Sequence, residues 1–252
     1  MREEGRCTRL SIAALGGFAS RESRLTSRPM PQTSDALLGT FAVLLALTGF
    51  VPVPFLDGIL ARSLVRRMVK TVADTHGIVV PEEEVPVLAS EADEGVLAFL
   101  VGAVKGLLLF PFRLLFKSIF LVLDAKQVTD LVGRAYTHAV LLDIAFAEGF
   151  YGKHGAAKLA AAVDGVLTTV DSRPTNAAAK AAWKALKQHG PSFFERIVKA
   201  FRDKRDDEAA SHAAPLGQAF ADSLAVEEPT YRVKLRDQLA TALSWQETVG
   251  RG

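Results

Sequence analysis

From Ala36 to Leu56 the chain reads ALLGTFAVLLALTGFVPVPFL, with no charged side chain between Asp35 and Asp57. Its length is close to the roughly 20 residues that a bilayer core requires. A helix apolar on every side has no face to turn to water, so this run belongs either in lipid or in a protein core. Pro52 and Pro54 stand near its end. Proline lacks the amide donor and clashes with the preceding turn, which predicts that the helix stops near Phe50. The helical part is then about 15 residues, short for a straight span. A tight turn at Pro52, Pro54 and Asp57 and a second helix should follow. This is a re-entrant or hairpin arrangement, or the core hairpin of a soluble bundle.

The second helix is expected over Phe55–His76, with Gly77 as its C-terminal cap. Phe55, Ile59, Leu60, Leu64, Met68, Val69 and Val72 recur at helical spacing. Arg62, Arg66, Arg67 and Lys70 fall on the other side, within an arc of roughly 140° at about 100° per residue. A charged stripe is ordinarily a solvated face. Directly after an uncharged run of bilayer length, these four residues also read as contacts to anionic headgroups. Residues 78–87, with Pro81, Pro86 and the acidic run Glu82–Glu84, read as a linker.

A second apolar helix is expected over Ser90–Ala125, started by Ser90 and Asp93 and kinked at Pro111. From Val96 to Leu123 only Lys105, Arg113 and Lys117 are charged. They share an arc of about 120°. Three basic residues at the bilayer centre cost roughly 8–10 kcal/mol, and about twenty apolar residues return a similar sum. An interfacial helix avoids that cost and gains about 1 kcal/mol per basic residue over anionic lipid. Shallow insertion with these three residues at the headgroups is therefore preferred to a span, and a core helix of a soluble bundle is the alternative.

Beyond Lys126 the text becomes ordinary. Helices are expected over 127–148, 156–170, 175–188, 191–205, 209–225 and 230–248, broken by Gly149–Gly155, Arg173-Pro174 and Gly190-Pro191. No sustained period-two pattern occurs. The fold class is all-α: a multi-helix bundle with two strongly apolar segments and no sheet. Residues 1–33, rich in Arg and Ser, read as a disordered tail or as text upstream of a start at Met30. Residues 34–125 read as an apolar, membrane-associated hairpin region, and 126–252 as a helical bundle packed on it as one unit.

Composition and motifs exclude more than they assign. With 30 basic and 28 acidic residues, the chain lacks the charge of a nucleic-acid binder. Cys7 is the only cysteine, so no intramolecular disulfide or cysteine-based zinc site is available. His76, His138, His154, His189 and His212 form no HxxxH or HExxH pair. His138 and Asp143 are five apart and point to divergent faces. The glycine-rich GFYGKHG of Gly149–Gly155 lacks the preceding strand of a phosphate loop, and a helix–helix turn is the better reading. Adjacent Glu82–Glu84 read as a solvated linker rather than a metal cluster. No GxSxG elbow and no GxxxxGK[ST] loop occurs. Neither catalytic residues, nor a metal, nor a cofactor is expected.

The stretch Gly49–Ile78, GFVPVPFLDGILARSLVRRMVKTVADTHGI, resembles the uncharacterised helical domain of YcjF-like bacterial inner-membrane proteins, a domain also found attached to small GTPases. Pro52, Pro54 and Asp57 match its Pro-x-Pro-x-x-Asp turn, and Thr75-His76-Gly77 stands where its helix cap falls. The resemblance implies membrane association, at the cytoplasmic face of an inner membrane, and a GTPase as a separate partner protein. It brings no catalytic residues. The expected function is that of a non-enzymatic membrane-associated helical protein presenting a surface to a partner. A soluble helical adaptor is the second reading and a lipid-handling enzyme the third. Carbonate extraction and detergent dependence separate the first two.

Overall fold

Ser34 begins the first helix by capping it: its Oγ accepts from the Leu37 amide at 3.2 Å, and its carbonyl accepts from Leu38 at 3.1 Å. The computed structural model describes residues 32–48, 56–89, 125–203 and 205–249. Among them are nine helices and no strand: α1 (Asp35–Thr48), α2 (Leu56–Thr75), α3 (Val85–Leu88), α4 (Ala125–Ala147), α5 (Phe150–Thr169), α6 (Arg173–His189), α7 (Pro191–Arg202), α8 (Asp206–Glu227) and α9 (Tyr231–Val249). The protein is an all-α multi-helix bundle. The turn at Pro52 and Pro54, the apolar run 90–124 and the tail 1–31 lie outside the described residues.

Every residue of α1 from Leu38 to Thr48 is buried. The helix is enclosed by α2, α4 and α8. The described part of the first apolar run is therefore surrounded by protein, which explains its lack of a polar face. Its hydroxyls are satisfied locally, Thr40 Oγ1 donating to the Ala36 carbonyl at 2.8 Å and Thr48 Oγ1 to Leu45 at 2.7 Å. Two glycines let α1 and α8 meet backbone to backbone. A Cβ built at Gly39 would lie 3.0 Å from the Gly217 carbonyl oxygen, and one at Gly217 would lie 2.6 Å from the Thr40 amide nitrogen.

α2 is half-buried along its length. Leu60, Ala61, Leu64, Val65, Met68, Val69, Val72 and Ala73 join the core, whereas Ile59, Arg62, Ser63 and Arg66 face outward. Gly77 ends it at φ 67°, where the Ile78 amide donates back to Ala73 at 3.0 Å. The stretch expected to be linker contains the short α3, whose Val85 and Leu88 are buried and which packs against α5.

The helices after residue 125 follow the expected order with shifted ends. α5 begins at Phe150, six residues before the expected position, and breaks at Gly155 (φ 76°, ψ 167°). Glycine tolerates that positive φ, so the predicted break at this residue survives as a kink inside one helical run. α7 ends at Arg202 and is strongly amphipathic, burying Phe193, Phe194, Ile197, Ala200 and Phe201. α4 packs on α1, α2, α5, α6 and α9, so residues on either side of position 125 contribute to one hydrophobic core.

Candidate functional site

The outer face of α2 places Arg62, Arg66, Arg67 and Lys70 along one open groove of about 620 Å³, together with Ile59, Ser63 and Glu82. Arg67 and Lys70 meet carboxylates of other elements. Arg67 pairs with Asp207 and reaches Asp206 at 3.9 Å, and Lys70 meets Glu82 at 2.6 Å. Arg62 and Arg66 are exposed, and Ile59 beside them is 62% exposed. The stripe is thus brought together on one face, as the helical spacing predicts. Glu82 of the acidic run is a pairing partner for Lys70, and Glu84 accepts from the Tyr151 hydroxyl at 2.5 Å. Asp57 belongs to the first turn of α2. Pro52, Pro54, Lys105, Arg113 and Lys117 lie outside the described residues.

A second polar constellation is internal. Asp143 on α4 is 1% exposed, and its Oδ1 accepts from the Thr33 amide at 2.9 Å and from His76 Nε2 at 2.8 Å. Its Oδ2 accepts from Arg232 Nη1 at 2.6 Å. Arg232 on α9 also donates through Nε to Asp35 at 2.9 Å and through Nη2 to the Thr33 carbonyl at 2.9 Å. Tyr136 completes the set by donating to Asp35 at 2.7 Å. Five side chains and the Thr33 backbone thus tie the start of α1, the end of α2, α4 and α9 to one point.

The electrostatics of this set are those of a closed ion-pair network. Burial pulls the Asp143 carboxyl upward, but hydrogen bonds from Thr33, Arg232 and His76 reverse this and hold it below the usual carboxylate value. Burial opposes the Arg232 charge, and the carboxylates of Asp35 and Asp143 more than restore it. Tyr136 is pushed far above an ordinary phenol, first by burial and then by the Asp35 charge. It is a hydrogen-bond donor here and not a base. With Asp143 ionised, His76 Nε2 carries the shared proton. The His76–Asp143 pair is 3% and 1% exposed, so it has no reach to a substrate and acts by holding helices together.

His138 and Asp143 do diverge. Fully buried His138 places Nε2 at 3.0 Å from the Leu88 carbonyl, tying α4 to α3. Burial lowers its pKa from 6.5 to about 4, only partly offset by that hydrogen bond. The unfolded chain therefore takes up a proton near pH 6.5 that the folded chain refuses until about pH 4. Stability should fall as pH drops through this window. His138→Gln should flatten that slope, as followed by chemical unfolding at pH 7, 6 and 5. An unchanged slope would assign the dependence to other groups.

Gly149, at φ 71°, forms the turn between α4 and α5, whereas the rest of GFYGKHG, Phe150–Gly155, is not a turn as expected but the first part of α5 up to its kink. Among the described residues no cluster of three or more His, Cys, Asp or Glu side chains has the arrangement of a metal site. No described helix is long and apolar enough to cross a membrane. No family model, curated protein or solved structure matches this chain.

The internal network carried no local signal in the sequence. Its members are 67 to 199 residues apart in the pairs that hydrogen-bond across helices, from His76–Asp143 to Thr33–Arg232. One hint existed: Asp143 sits among the apolar residues of α4, Leu141, Leu142 and Ile144. A carboxylate on an apolar stretch calls for a buried partner. Which of 30 basic residues supplies it is decided by helix packing.

Proposed function

We propose that this chain is a non-enzymatic, membrane-associated helical protein that docks on an anionic surface through the outer face of α2. The observation that carries this reading is the arrangement of Ile59, Arg62, Ser63 and Arg66 on one exposed face of a helix whose opposite face is locked into the core. An apolar side chain flanked by guanidinium groups suits the headgroup zone, where the apolar part enters and the cations stay in water. With α1 enclosed by protein, the rest of the contact falls to the apolar sequence Val96–Leu123. Its Lys105, Arg113 and Lys117 favour the interface over the bilayer centre. The resemblance of Gly49–Ile78 to YcjF-like proteins supports the same address, the cytoplasmic face of an inner membrane, with a separate GTPase as partner. A binding role is favoured over a catalytic one because the polar side chains of the internal network, Asp143 and His76, are closed off from solvent.

Flotation of the full chain with vesicles tests this. Binding to phosphatidylcholine vesicles should rise when phosphatidylglycerol is added and fall with salt. At about 1 kcal/mol per basic residue, Arg62→Glu with Arg66→Glu should weaken it by about 2 kcal/mol or more, roughly 30-fold. Both side chains are exposed, so the fold should persist. The burial of α1 favours a second reading, a helical adaptor whose apolar runs build its own core. Protein that stays at the bottom of the gradient at low salt would leave that reading in place of the first.

A further inference from the structure

We infer that the outward face of α6, Lys180, Lys184 and Lys187 with Trp183 beside them, is a second contact with the anionic bilayer surface, and that it turns the end of the bundle where α1 stops and α4 starts toward the membrane. The inference rests on the membrane reading above and adds to it the side of the bundle that meets the lipid. It begins in the distribution of charge along the chain. From Arg173 to Arg202, α6 and α7 hold seven Lys or Arg against the single acid Glu195, whereas α8 holds five Asp or Glu and no Lys or Arg. α6 itself has no acidic residue. Its inward face is Thr175, Ala178, Ala179, Ala182 and Leu186, packed against α4 and α8. The three lysines are exposed on the other side. At about 100° per residue they fall within an arc of about 60°.

A solvated helix face ordinarily mixes the two signs, so that residues three and four apart attract. Here they repel: Lys184 has Lys180 four residues before it and Lys187 three after it. The helix dipole favours Lys187 in the last turn and does nothing for Lys180 in the middle. An anionic surface supplies the missing counter-charge. Position favours a bilayer as that surface over a soluble polyanion. Trp183 and Leu186 of α6 line one apolar cavity with Val43, Ala46 and Leu47 of α1 and Val128 of α4. α1 ends at Thr48 and α4 begins at Ala125, each within one turn of that cavity. The apolar sequence Val96–Leu123 therefore joins the described bundle beside the C-terminal half of α6. Trp183 is half-buried and lies about 40° around the helix from Lys187. An indole next to ammonium groups on long stems suits the headgroup zone, with the ring at the acyl boundary and the charges in water.

Fluorescence of the full chain tests this, because the sequence has two tryptophans. Trp245→Phe leaves Trp183 as the reporter. Trp183→Phe leaves Trp245, which is 68% exposed on α9, a helix that packs on α4 and α5. With vesicles of phosphatidylcholine and phosphatidylglycerol, brominated acyl chains should quench and blue-shift Trp183 and leave Trp245 unchanged. Lys180→Gln, Lys184→Gln and Lys187→Gln together should weaken flotation with the same vesicles roughly 100-fold. All three side chains are exposed, so the thermal melt of this variant should stay close to wild type. Protein that floats with Trp183 unquenched, or with the lysine variant at wild-type affinity, overturns this inference and leaves the α2 reading intact. Equal quenching of both tryptophans overturns the orientation. Failure to float at all overturns both readings. Binding of a duplex oligonucleotide by protein that does not float would assign the face to nucleic acid and overturn the membrane contact.

Discussion

Asp143→Leu should destabilise the bundle by about 3 kcal/mol, because it leaves Arg232 without its buried partner and frees the Thr33 amide and His76 together. Leucine fills the volume and supplies no acceptor, so the loss is electrostatic and not a cavity. Arg232 is 22% exposed and can turn partly toward water, which keeps the cost at the lower end of the buried-pair range of about 3–5 kcal/mol. Arg232→Met should cost a comparable amount. The double variant should cost less than the two singles added, by about 1 kcal/mol or more, since each single strands the partner that the other removes. Urea unfolding of the four proteins measures this, and strict additivity would show that the two side chains do not act as a unit.

The same carboxylate gives the network a pH signature. The folded chain keeps Asp143 ionised below the ordinary carboxylate value of 3.8, so on acidification the unfolded chain takes up its proton first. Its contribution is complete above the ordinary value and disappears as pH falls through the depressed folded one. Wild type should therefore show a steeper acid limb than the Asp143→Leu variant in thermal unfolding between about pH 4 and pH 2, a range that opens at that value. This limb lies below the window assigned to His138, which ends at about 4, so the two groups are separable by pH alone.

Gly217→Ala is the second large effect. The added methyl would lie 2.6 Å from the Thr40 amide nitrogen and closer still to the Ala36 carbonyl oxygen and Thr40 Oγ1. Two of these three atoms are backbone and cannot swing aside, so α1 and α8 must separate. Overpacking of this kind costs up to about 3 kcal/mol or more, and the better helix propensity of alanine returns at most about 1 kcal/mol. The net loss should be about 2 kcal/mol or more, a fall in Tm of roughly 4–8 °C for a chain of this size. Gly165→Ala on α5 is the matched control, because its Cβ would meet nothing within 4 Å. It should be neutral or raise stability by about 0.5–1 kcal/mol. Equal effects at the two positions would mean that α1 and α8 do not meet as closely as Gly39 and Gly217 allow.

The sequence by itself determined most of the described helices, though not α3, which forms in the stretch read as linker, nor the start of α5. Apolar residues at helical spacing, glycine at Gly77 and Gly149, and proline at Pro174 and Pro191 mark where each begins or stops, because these are local constraints of backbone and periodicity. It also determined that Arg62, Arg66, Arg67 and Lys70 share a face. Tertiary structure decided what those features mean. An uncharged run such as that of α1 is equally suited to lipid and to protein, and only the enclosing α2, α4 and α8 make it a core helix. The charge count of the α2 face depends on Asp206 and Asp207 arriving from α8. The buried network depends on Arg232 meeting Asp143 across 89 residues. Charge pairing across such distances is set by how helices pack, and no local pattern encodes it.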